Sequence, residues 1–483
     1  MKIGELILRE EYIFSEADES LCIDKIATRL EDLSENTLLI IPNSKKVTKI
    51  SNLQTPPKAV ICDSEVETDE NIPKILVSNA RLALARACFR LAKLDTSTMK
   101  LIGVTGTNGK TTTASLIFEG LLACGFKPGF IGTGKIAIGR ADITSEYYSM
   151  TTPDPPLLYP VLKRMQLQGC DTVVMEVSSH ALALDKVEPL IFDFAVFTNL
   201  SDEHLDFHKT TEEYFAAKKK LLKNASTAVF NIDDEYARRA YGEFSGKKIS
   251  IGAIHDADVR CTNIENHGLD GIRYLYRWQG HTMRMELKLA GIYNAYNSML
   301  AAAVCIELGC KACRVKEIFG EIVSIPGRFE IINGEITVII DYAHTDFAYY
   351  NIMKELYNLK RGNSLTVVFG CGGERDKQKR PRMAKIAEQF ADRIIVTTDN
   401  SRSESPKEII MDIIRGFESD CYEIIEDRET AIKSAILAAN DGDIVAVIGK
   451  GAEKYNIDSL GYHPFDEKKI ISAALSERRR IGE

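Results

Sequence analysis

Leu101-Ile-Gly-Val-Thr-Gly-Thr-Asn-Gly-Lys-Thr-Thr112 is the stretch whose reading decides the fold. An apolar, β-rich run, Leu101–Thr105, drops into a turn holding Gly106 and Gly109. Lys110, Thr111 and Thr112 then open a stretch, Thr113–Cys124, with the apolar spacing of a helix. Strand, glycine loop, Lys-Thr and helix is the order of a phosphate-binding loop. Glycines let backbone N–H groups turn toward one point, and a helix start adds about half a positive charge there. Lys110 supplies a mobile cation for outer phosphates, and Thr111 a hydroxyl for Mg²⁺. The common pattern has a further glycine before four intervening residues, and that position here is Val104. A plain glycine turn is the competing reading, but such a turn needs neither lysine nor threonine at the first helical positions. Nucleoside triphosphate binding is the expectation.

A chain of 483 residues predicts two to four domains with ample core. Hydrophobic content of 45% and charged content of 27% describe a globular chain. A net charge of −8 argues against nucleic acid as the main partner. The first residues, Met1–Phe14, have no long apolar core and carry acids early, so no signal peptide is expected. No apolar run approaches membrane-spanning length, and membrane insertion is not expected. Eleven scattered cysteines read as buried thiols in a reducing compartment, the cytoplasm. Cys310 and Cys313 form a lone CxxC pair, which does not predict zinc.

Residues 1–97 predict a small α/β domain, with short alternating runs at Thr37–Ile41 and Ala59–Cys62 and a helical stretch at Asn79–Leu94. Ala27-Thr28-Arg29 is either a ligand-contacting loop or a plain polar one, and Asp95–Thr98 reads as a linker. Residues 98–325 form the second expected domain. There Thr151-Thr152-Pro153-Asp154-Pro155-Pro156 makes a rigid loop whose two hydroxyls could hold a phosphate or sugar, or cap a helix. The strand Asp171–Val177 delivers Glu176 at its C-terminal end, where a Mg²⁺ ligand would face the phosphate loop. A second strand, Phe192–Thr198, runs into Ser201-Asp-Glu-His204, making His204 a candidate metal ligand or phosphate contact. Glu212–Leu222 reads as a helix carrying Lys218, and Leu289–Ala303 as another, starting after Gly291. Asn294 and Asn297 share one face of it, and a base-contacting role suits so poor a helix residue.

Residues 326–483 form the third expected domain, opening on Pro326-Gly-Arg328-Phe-Glu. Four strand-like runs, Thr337–Tyr342, Leu365–Phe369, Arg393–Thr398 and Ile444–Ile448, alternate with helical ones and predict an open parallel sheet. Polar residues follow each strand: Asp341 and His344, Gly370–Asp376, Asp399–Arg402, and Gly449–Glu453. Gly370-Cys-Gly-Gly-Glu-Arg375 lacks the third glycine of a dinucleotide fingerprint, which excludes NAD. Arg375 and Arg402 are suited to gripping a carboxylate through paired donors, and Glu453 to an amine, so an amino acid is the simple inference.

Thr105-Gly-Thr-Asn-Gly-Lys-Thr, Glu176-Val-Ser-Ser-His, Asp341-Tyr-Ala-His-Thr and Asp399-Asn-Ser-Arg, in this order over residues 98–483, together resemble the Mur ligases. The resemblance implies three α/β domains: a small N-terminal one, a central phosphate-loop ATPase-like parallel sheet, and a C-terminal Rossmann-like one. It implies an ATP- and Mg²⁺-dependent amide ligase of peptidoglycan synthesis, adding a diamino acid to a UDP-muramoyl dipeptide through an acyl phosphate. A cytoplasmic monomer is expected. Gly106, Thr107, Asn108, Gly109, Lys110, Thr111 and Thr112 would bind the triphosphate, and Asn294, Asn297, Arg328 and Asp341 the rest of the nucleotide. Thr111 and Glu176 would hold one Mg²⁺ and His204 a second. Lys218 matches a lysine that is carbamylated in the family, becoming an anion able to ligate metal, and with Lys110 and His204 completes the catalytic set. Thr28, Thr151, Thr152, Ser178 and Lys186 match contacts to the muramoyl substrate. Arg375, Asp399, Asn400, Arg402, Gly449 and Glu453 match the amino-acid pocket in the form that takes meso-diaminopimelate, whose distal carboxylate needs the second arginine.

Departures from the family pattern cluster at the nucleotide-sugar end. Ala27-Thr28-Arg29 stands for Asp-Ser-Arg, Pro42–Lys46 replaces a glycine-rich loop, and Leu184 and Lys186 replace a glutamine and an arginine. Ser401 replaces a proline, and Ala452 stands where histidine is common. A ligase acting on a different acceptor, a folate-type glutamate ligase and a non-catalytic nucleotide-binding homologue stay open as alternatives.

Overall fold

The computed structural model describes residues 1–42, 49–50, 53–68, 72–144 and 150–482, so the substitution noted at Pro42–Lys46 lies, beyond Pro42, outside the described residues. Two compact units stand out, the first made of Met1–Gly106, Ile117–Thr198 and Tyr214–Ser250, the second of Thr107–Leu116, Asn199–Glu213 and Ile251–Glu483. Among the described residues no helix is long and apolar enough to cross a membrane.

The first unit begins with five short strands, β1 (Tyr12–Ser15), β2 (Lys25–Ala27), β3 (Thr37–Ile40), β4 (Ala59–Cys62) and β5 (Lys74–Val77), in the order β1-β5-β4-β3-β2. All pairs are parallel except β1 with β5. Every residue of β3 and β4 is buried, so the alternation expected from the sequence gives way to strands covered on both faces. Helix α1 (Ala80–Leu91) follows, capped by Asn79, whose side chain accepts from Arg81 N and Leu82 N.

The same unit contains a larger, mostly parallel sheet. Its strands are β6 (Lys100–Thr105), β7 (Pro128–Gly132), β8 (Lys135–Ile138), β9 (Thr172–Glu176), β10 (Phe192–Phe197), β11 (Ala225–Asn231) and β12 (Lys247–Gly252). They run β8-β7-β9-β6-β10-β11-β12, with the two-residue strand Ala141–Asp142 outside β8. β9 and β10 flank β6 in parallel, with Glu176 opposite Val104 and Phe197 opposite Thr105. Three strand ends therefore meet on one edge of the sheet, where an open α/β sheet binds its ligand. Between β8 and β9 lies α2 (Pro155–Leu167), directly after the loop whose hydroxyls could cap a helix, though its cap residue is Asp154. Its two leading prolines occupy the first helical turn, where a missing N–H costs nothing. Helix α3 (Thr211–Lys223) carries Lys218 among its buried residues.

In the second unit β13 (Val259–Asn266), β14 (Ile272–Trp278) and β15 (His281–Leu287) form an antiparallel meander, followed by α4 (Tyr293–Glu307). Next comes a sheet of β16 (Glu330–Asn333), β17 (Thr337–Asp341), β18 (Leu365–Phe369), β19 (Arg393–Val396), β20 (Tyr422–Ile424) and β21 (Ile444–Ile448). Its order, β16-β17-β21-β18-β19-β20, is parallel except at β16. The four predicted strands are present, and β21 lies between β17 and β18. Helices cover both faces: Asp346–Leu359, Lys379–Phe390 and Pro406–Ile414 pack on one, Arg428–Ala438 and Glu467–Gly482 on the other. That burial from both sides leaves every residue of the central strands β18 and β21 buried, with Thr366 the one polar side chain among them.

Candidate functional site

In the first unit, Gly106 leaves β6 with φ 147°, and its carbonyl accepts from Lys218 Nζ at 2.7 Å. Lys218 is buried, with its ammonium 4.5 Å from the centre of the Tyr214 ring. At the end of β9, Glu176 is fully buried. Its Oε1 accepts from Thr133 N at 2.8 Å and its Oε2 from the Thr133 hydroxyl at 3.3 Å. The Thr133 hydroxyl also meets that of Thr151 at 2.8 Å. Thr152 Oγ1 donates to the Glu176 carbonyl at 2.9 Å and accepts from Ser178 N at 3.0 Å. Four residues singled out in the sequence, Thr151, Thr152, Glu176 and Ser178, thus form one hydrogen-bonded cluster.

The remainder of the loop belongs to the second unit. Asn199 holds it from below: its Oδ1 accepts from Asn108 N at 2.9 Å, its Nδ2 donates to the Asn108 carbonyl at 3.1 Å, and its own carbonyl accepts from Thr107 N at 2.9 Å. Lys110 Nζ folds back onto the Thr107 carbonyl at 2.8 Å. Gly109 has φ 82°, and a Cβ there would lie 2.3 Å from Asn297 Oδ1, so glycine is required twice over. Asn297 in turn donates to Asn294 Oδ1 at 2.9 Å, and Asn294 to the Ala290 carbonyl at 2.7 Å. The asparagine pair is buried and braces the loop turn. Thr107, Thr111 and Thr112 are buried as well.

Thr111 accepts from Arg328 Nη2 at 2.8 Å. The Arg328 guanidinium stacks 4.3 Å from the Tyr342 ring centre, and the Tyr342 hydroxyl donates to Glu453 Oε1 at 3.4 Å. One line of contacts therefore runs from the loop threonine to the glutamate of the predicted amino-acid pocket. Asp341 receives Phe329 N at 2.7 Å and Ala343 N at 2.6 Å; burial holds its carboxyl above the ordinary aspartate range despite Arg328 and these donors. His204 has φ 57° and lies 3.5 Å from Glu203 Oε1, and His344 Nε2 is 3.8 Å from the same oxygen. Burial, reinforced by Lys379, depresses His344 to about 4, so its imidazole is neutral at pH 7.

The C-terminal pocket collects at the ends of β17, β18, β19 and β21. Asn400 Nδ2 donates to Glu453 Oε2 at 2.9 Å, and Asn400 Oδ1 accepts from Lys450 Nζ at 2.8 Å. Lys450 is wholly buried, 3.7 Å from Asp399 Oδ1 and 3.6 Å from Glu453 Oε2. Burial pulls the Asp399 carboxyl upward, but Lys450 and Arg428 hold it below the ordinary range. For Glu453 burial wins, with Asp399 adding to it against Lys450, and its carboxyl is raised. Gly449 has φ 126° and packs against Asp399, where a Cβ would meet Oδ2 at 2.8 Å. Arg402, with φ 54°, donates from Nη1 to the carbonyls of Gly373 at 2.7 Å and Asn400 at 3.2 Å. Gly372 lies between the two arginines, its Cβ position 3.0 Å from Arg402 Nη1 and 3.9 Å from the Arg375 side chain, and Arg375 itself is exposed.

Two predicted residues stand apart from these clusters. Thr28 is half-buried just after β2 at the edge of the N-terminal sheet. Lys186 is paired with Asp154 at 2.6 Å. Asn199, Glu203, Tyr342 and Lys450 were not singled out as site residues from the sequence. Each directly follows or nearly follows a strand that was read correctly, and that position was the available signal.

Glu176 offers a buried carboxylate in the first unit and Thr111 a buried hydroxyl in the second. That donor chemistry fits Mg²⁺, which takes one or two protein oxygens and shares the rest of its shell with water and phosphate. Parallel sheets ending in a glycine-lysine loop and in a pocket of paired cations and carboxylates define an α/β phosphate-loop enzyme. Residues 104–305 match the Mur ligase middle domain and residues 327–451 the Mur ligase glutamate ligase domain. The UDP-N-acetylmuramoyl-L-alanyl-D-glutamate–2,6-diaminopimelate ligase 1 of Clostridium acetobutylicum is 37% identical over 422 residues, 86% of each chain. The enzyme of that name from Clostridium tetani is 34% identical over 489 residues, covering 99% of this chain and 100% of its own. A solved structure of a UDP-N-acetylmuramoyl-L-alanyl-D-glutamate–2,6-diaminopimelate ligase superposes with a TM-score of 0.65 at 26% identity, covering 99% of both chains. The chain belongs to the Mur ligase family.

Proposed function

We propose that this protein joins meso-diaminopimelate to UDP-N-acetylmuramoyl-L-alanyl-D-glutamate at the expense of ATP, a cytoplasmic step of peptidoglycan synthesis. The observation that carries this reading is the line of contacts Thr111–Arg328–Tyr342–Glu453. A reaction that couples phosphoryl transfer to amine capture needs both ends within reach of one acceptor. An oxygen of the acceptor's terminal carboxylate attacks the γ-phosphorus of ATP, the bond to the bridging oxygen breaks, and ADP leaves. The amine nitrogen then attacks the carbonyl carbon, the bond to the phosphate oxygen breaks, phosphate leaves and the amine proton goes to solvent.

Gly106–Thr112 hold the triphosphate, and Asn294, Asn297, Arg328 and Asp341 the rest of the nucleotide. Thr111 and Glu176 serve one Mg²⁺ and His204 a second; bound Mg²⁺ neutralises charge on the transferring phosphoryl group. Lys218 acts as a carbamate, and Thr28, Thr151, Thr152, Ser178 and Lys186 meet the acceptor. Arg402, with Arg375, takes the distal carboxylate, while Asp399, Asn400, Gly449 and Glu453 receive the amino-acid head groups. A carboxylate needs a planar two-donor partner, and this favours diaminopimelate over lysine. The division into residues 1–97, 98–325 and 326–483 assigns acceptor, ATP and amino acid to successive domains.

The Lys186–Asp154 pair supports a second reading, a ligase of this family with another acyl acceptor, because that ammonium is already matched. Phosphate release measured over a panel of amino acids and acceptors separates the two. Release with diaminopimelate and the UDP-muramoyl dipeptide supports the first reading; release only with other acceptors establishes the second.

A further inference from the structure

Asp399 and Glu453 belong to one buried cluster with a single ammonium beneath them. Lys450 Nζ lies 3.7 Å from the first carboxylate and 3.6 Å from the second, and it holds Asn400 Oδ1 at 2.8 Å. Ile457 N donates to the same amide oxygen at 3.0 Å, and Asn400 Nδ2 passes the contact on to Glu453 at 2.9 Å. Lys450 is fully buried, and neighbouring rings wall it in, with Tyr455 and Phe465 centred 6.0 and 5.9 Å away. A buried ammonium between two carboxylates is a charge-setting device: it leaves the group one negative charge, enough to receive one further cation.

We infer that Lys450 is a positioning residue of the amino-acid pocket, keeping Glu453 ionised and oriented to receive the ammonium of the incoming amino acid. This rests on the proposed ligase reading and adds to it a residue that touches no substrate. Two like charges in one buried site cannot both ionise without a cation, so without Lys450 one of the two takes a proton. Burial already raises Glu453, which makes it the one to do so.

The groups facing Glu453 come from several elements. Tyr342 donates to it from the end of β17, Asn400 and Asp399 approach from the end of β19, and Tyr455 adds a ring hydroxyl kept neutral by burial and then by Glu453. Arg428 is tied to Glu467 at 2.6 Å, and its charge also favours the ionised form of Asp399. Behind the loop a cavity is lined by Glu453, Glu330, Asp466, Glu467 and the lysines 454, 468 and 469, with Lys468 paired to Glu330 at 2.5 Å. Of these cations, Lys450 is the one within 4 Å of both carboxylates.

The test is the pH profile of kcat/KM for the amino acid in the full-length enzyme, with Lys450→Met and Lys450→Gln beside wild type. Lys450→Gln can still donate to Asn400 Oδ1, so it separates the hydrogen bond from the charge. Both variants should move the acidic limb upward by about 1–3 pH units and raise KM for the amino acid at least about tenfold at pH 7. KM for ATP should stay within about twofold, and Lys450→Arg should leave the limb near its wild-type position. An unmoved limb in a folded uncharged variant overturns the inference. So does failure of both uncharged variants to fold, since Lys450 would then serve the core rather than the pocket's charge. If wild type itself shows no amino-acid-dependent turnover, the ligase reading fails instead.

Discussion

Lys218 Nζ donates to the Gly106 carbonyl at 2.7 Å, so a buried cation on α3 sits directly under the first glycine of the loop. Lys218→Met removes that donor and leaves an apolar chain against the loop. Stability should fall by about 1–3 kcal/mol in urea unfolding, and kcat by at least about a hundredfold. Lys218→Arg should recover stability and not activity, because a guanidinium cannot be carbamylated. An arginine variant with normal turnover would remove Lys218 from the chemistry.

Gly109 can be examined through its neighbour. Gly109→Ala meets a left-handed backbone, costing about 1–2 kcal/mol, and a contact with Asn297 Oδ1 besides. ATP affinity by calorimetry should drop at least about tenfold. Adding Asn297→Ala should return part of that loss, since it removes the contact and not the strain. A double variant weaker than the single one would show that Asn297 supports the loop in some other way.

Arg402 offers a test of what the pocket reads. Its Nη1 is committed to two backbone carbonyls, so Arg402→Lys loses both the brace and the paired donors. KM for diaminopimelate should rise roughly 10–100-fold, as expected for about 1.5–3 kcal/mol of charged hydrogen bonding. KM for lysine, which has no distal carboxylate, should change much less. Equal losses for both amino acids would place Arg402 elsewhere in the reaction.

His344 sets an acid-side prediction. Its folded value, depressed to about 4, lies below the unfolded value of 6.5, so the unfolded chain binds the extra proton between these limits. The stability that His344 contributes is present above pH 6.5 and is lost as pH falls toward 4. Urea midpoints taken across that range should decline with acid, and His344→Gln should flatten the decline. An identical slope in the variant would assign the acid sensitivity to other groups.

Most of this site could be read from the chain because its chemistry sits where strands stop. Glu176 and Asp341 are the last residues of β-strands, and Asp399 and Gly449 follow shortly after others, so an apolar run with polar residues at its end was enough to locate them. Lys450 lies inside the polar run Gly449–Glu453 but carries no role in the sequence, because only the fold buries it. Asn199 looked like an ordinary strand-end turn, yet its side chain grips Asn108 at both ends of the peptide. Asn294 and Asn297 share one helix face, as their spacing implies; that Asn297 also packs at Gly109 and donates to Asn294 is a contact that spacing alone does not show. The prolines at 155 and 156 open a helix, and the first helical turn is the one place where proline is at home. In the N-terminal sheet, strands of three or four residues were too short to show a period.

The central claim is that the loop around Lys110 and the pocket around Glu453 serve one reaction, and phosphate release with product analysis tests it most directly. With ATP, Mg²⁺, UDP-muramoyl dipeptide and diaminopimelate together, wild type should release one phosphate per amide bond formed. Omitting either substrate should stop release, and Lys110→Ala should slow it by orders of magnitude while its unfolding midpoint stays unchanged. Phosphate release that ignores the amino acid, or a Lys110→Ala enzyme with normal turnover, would contradict the account.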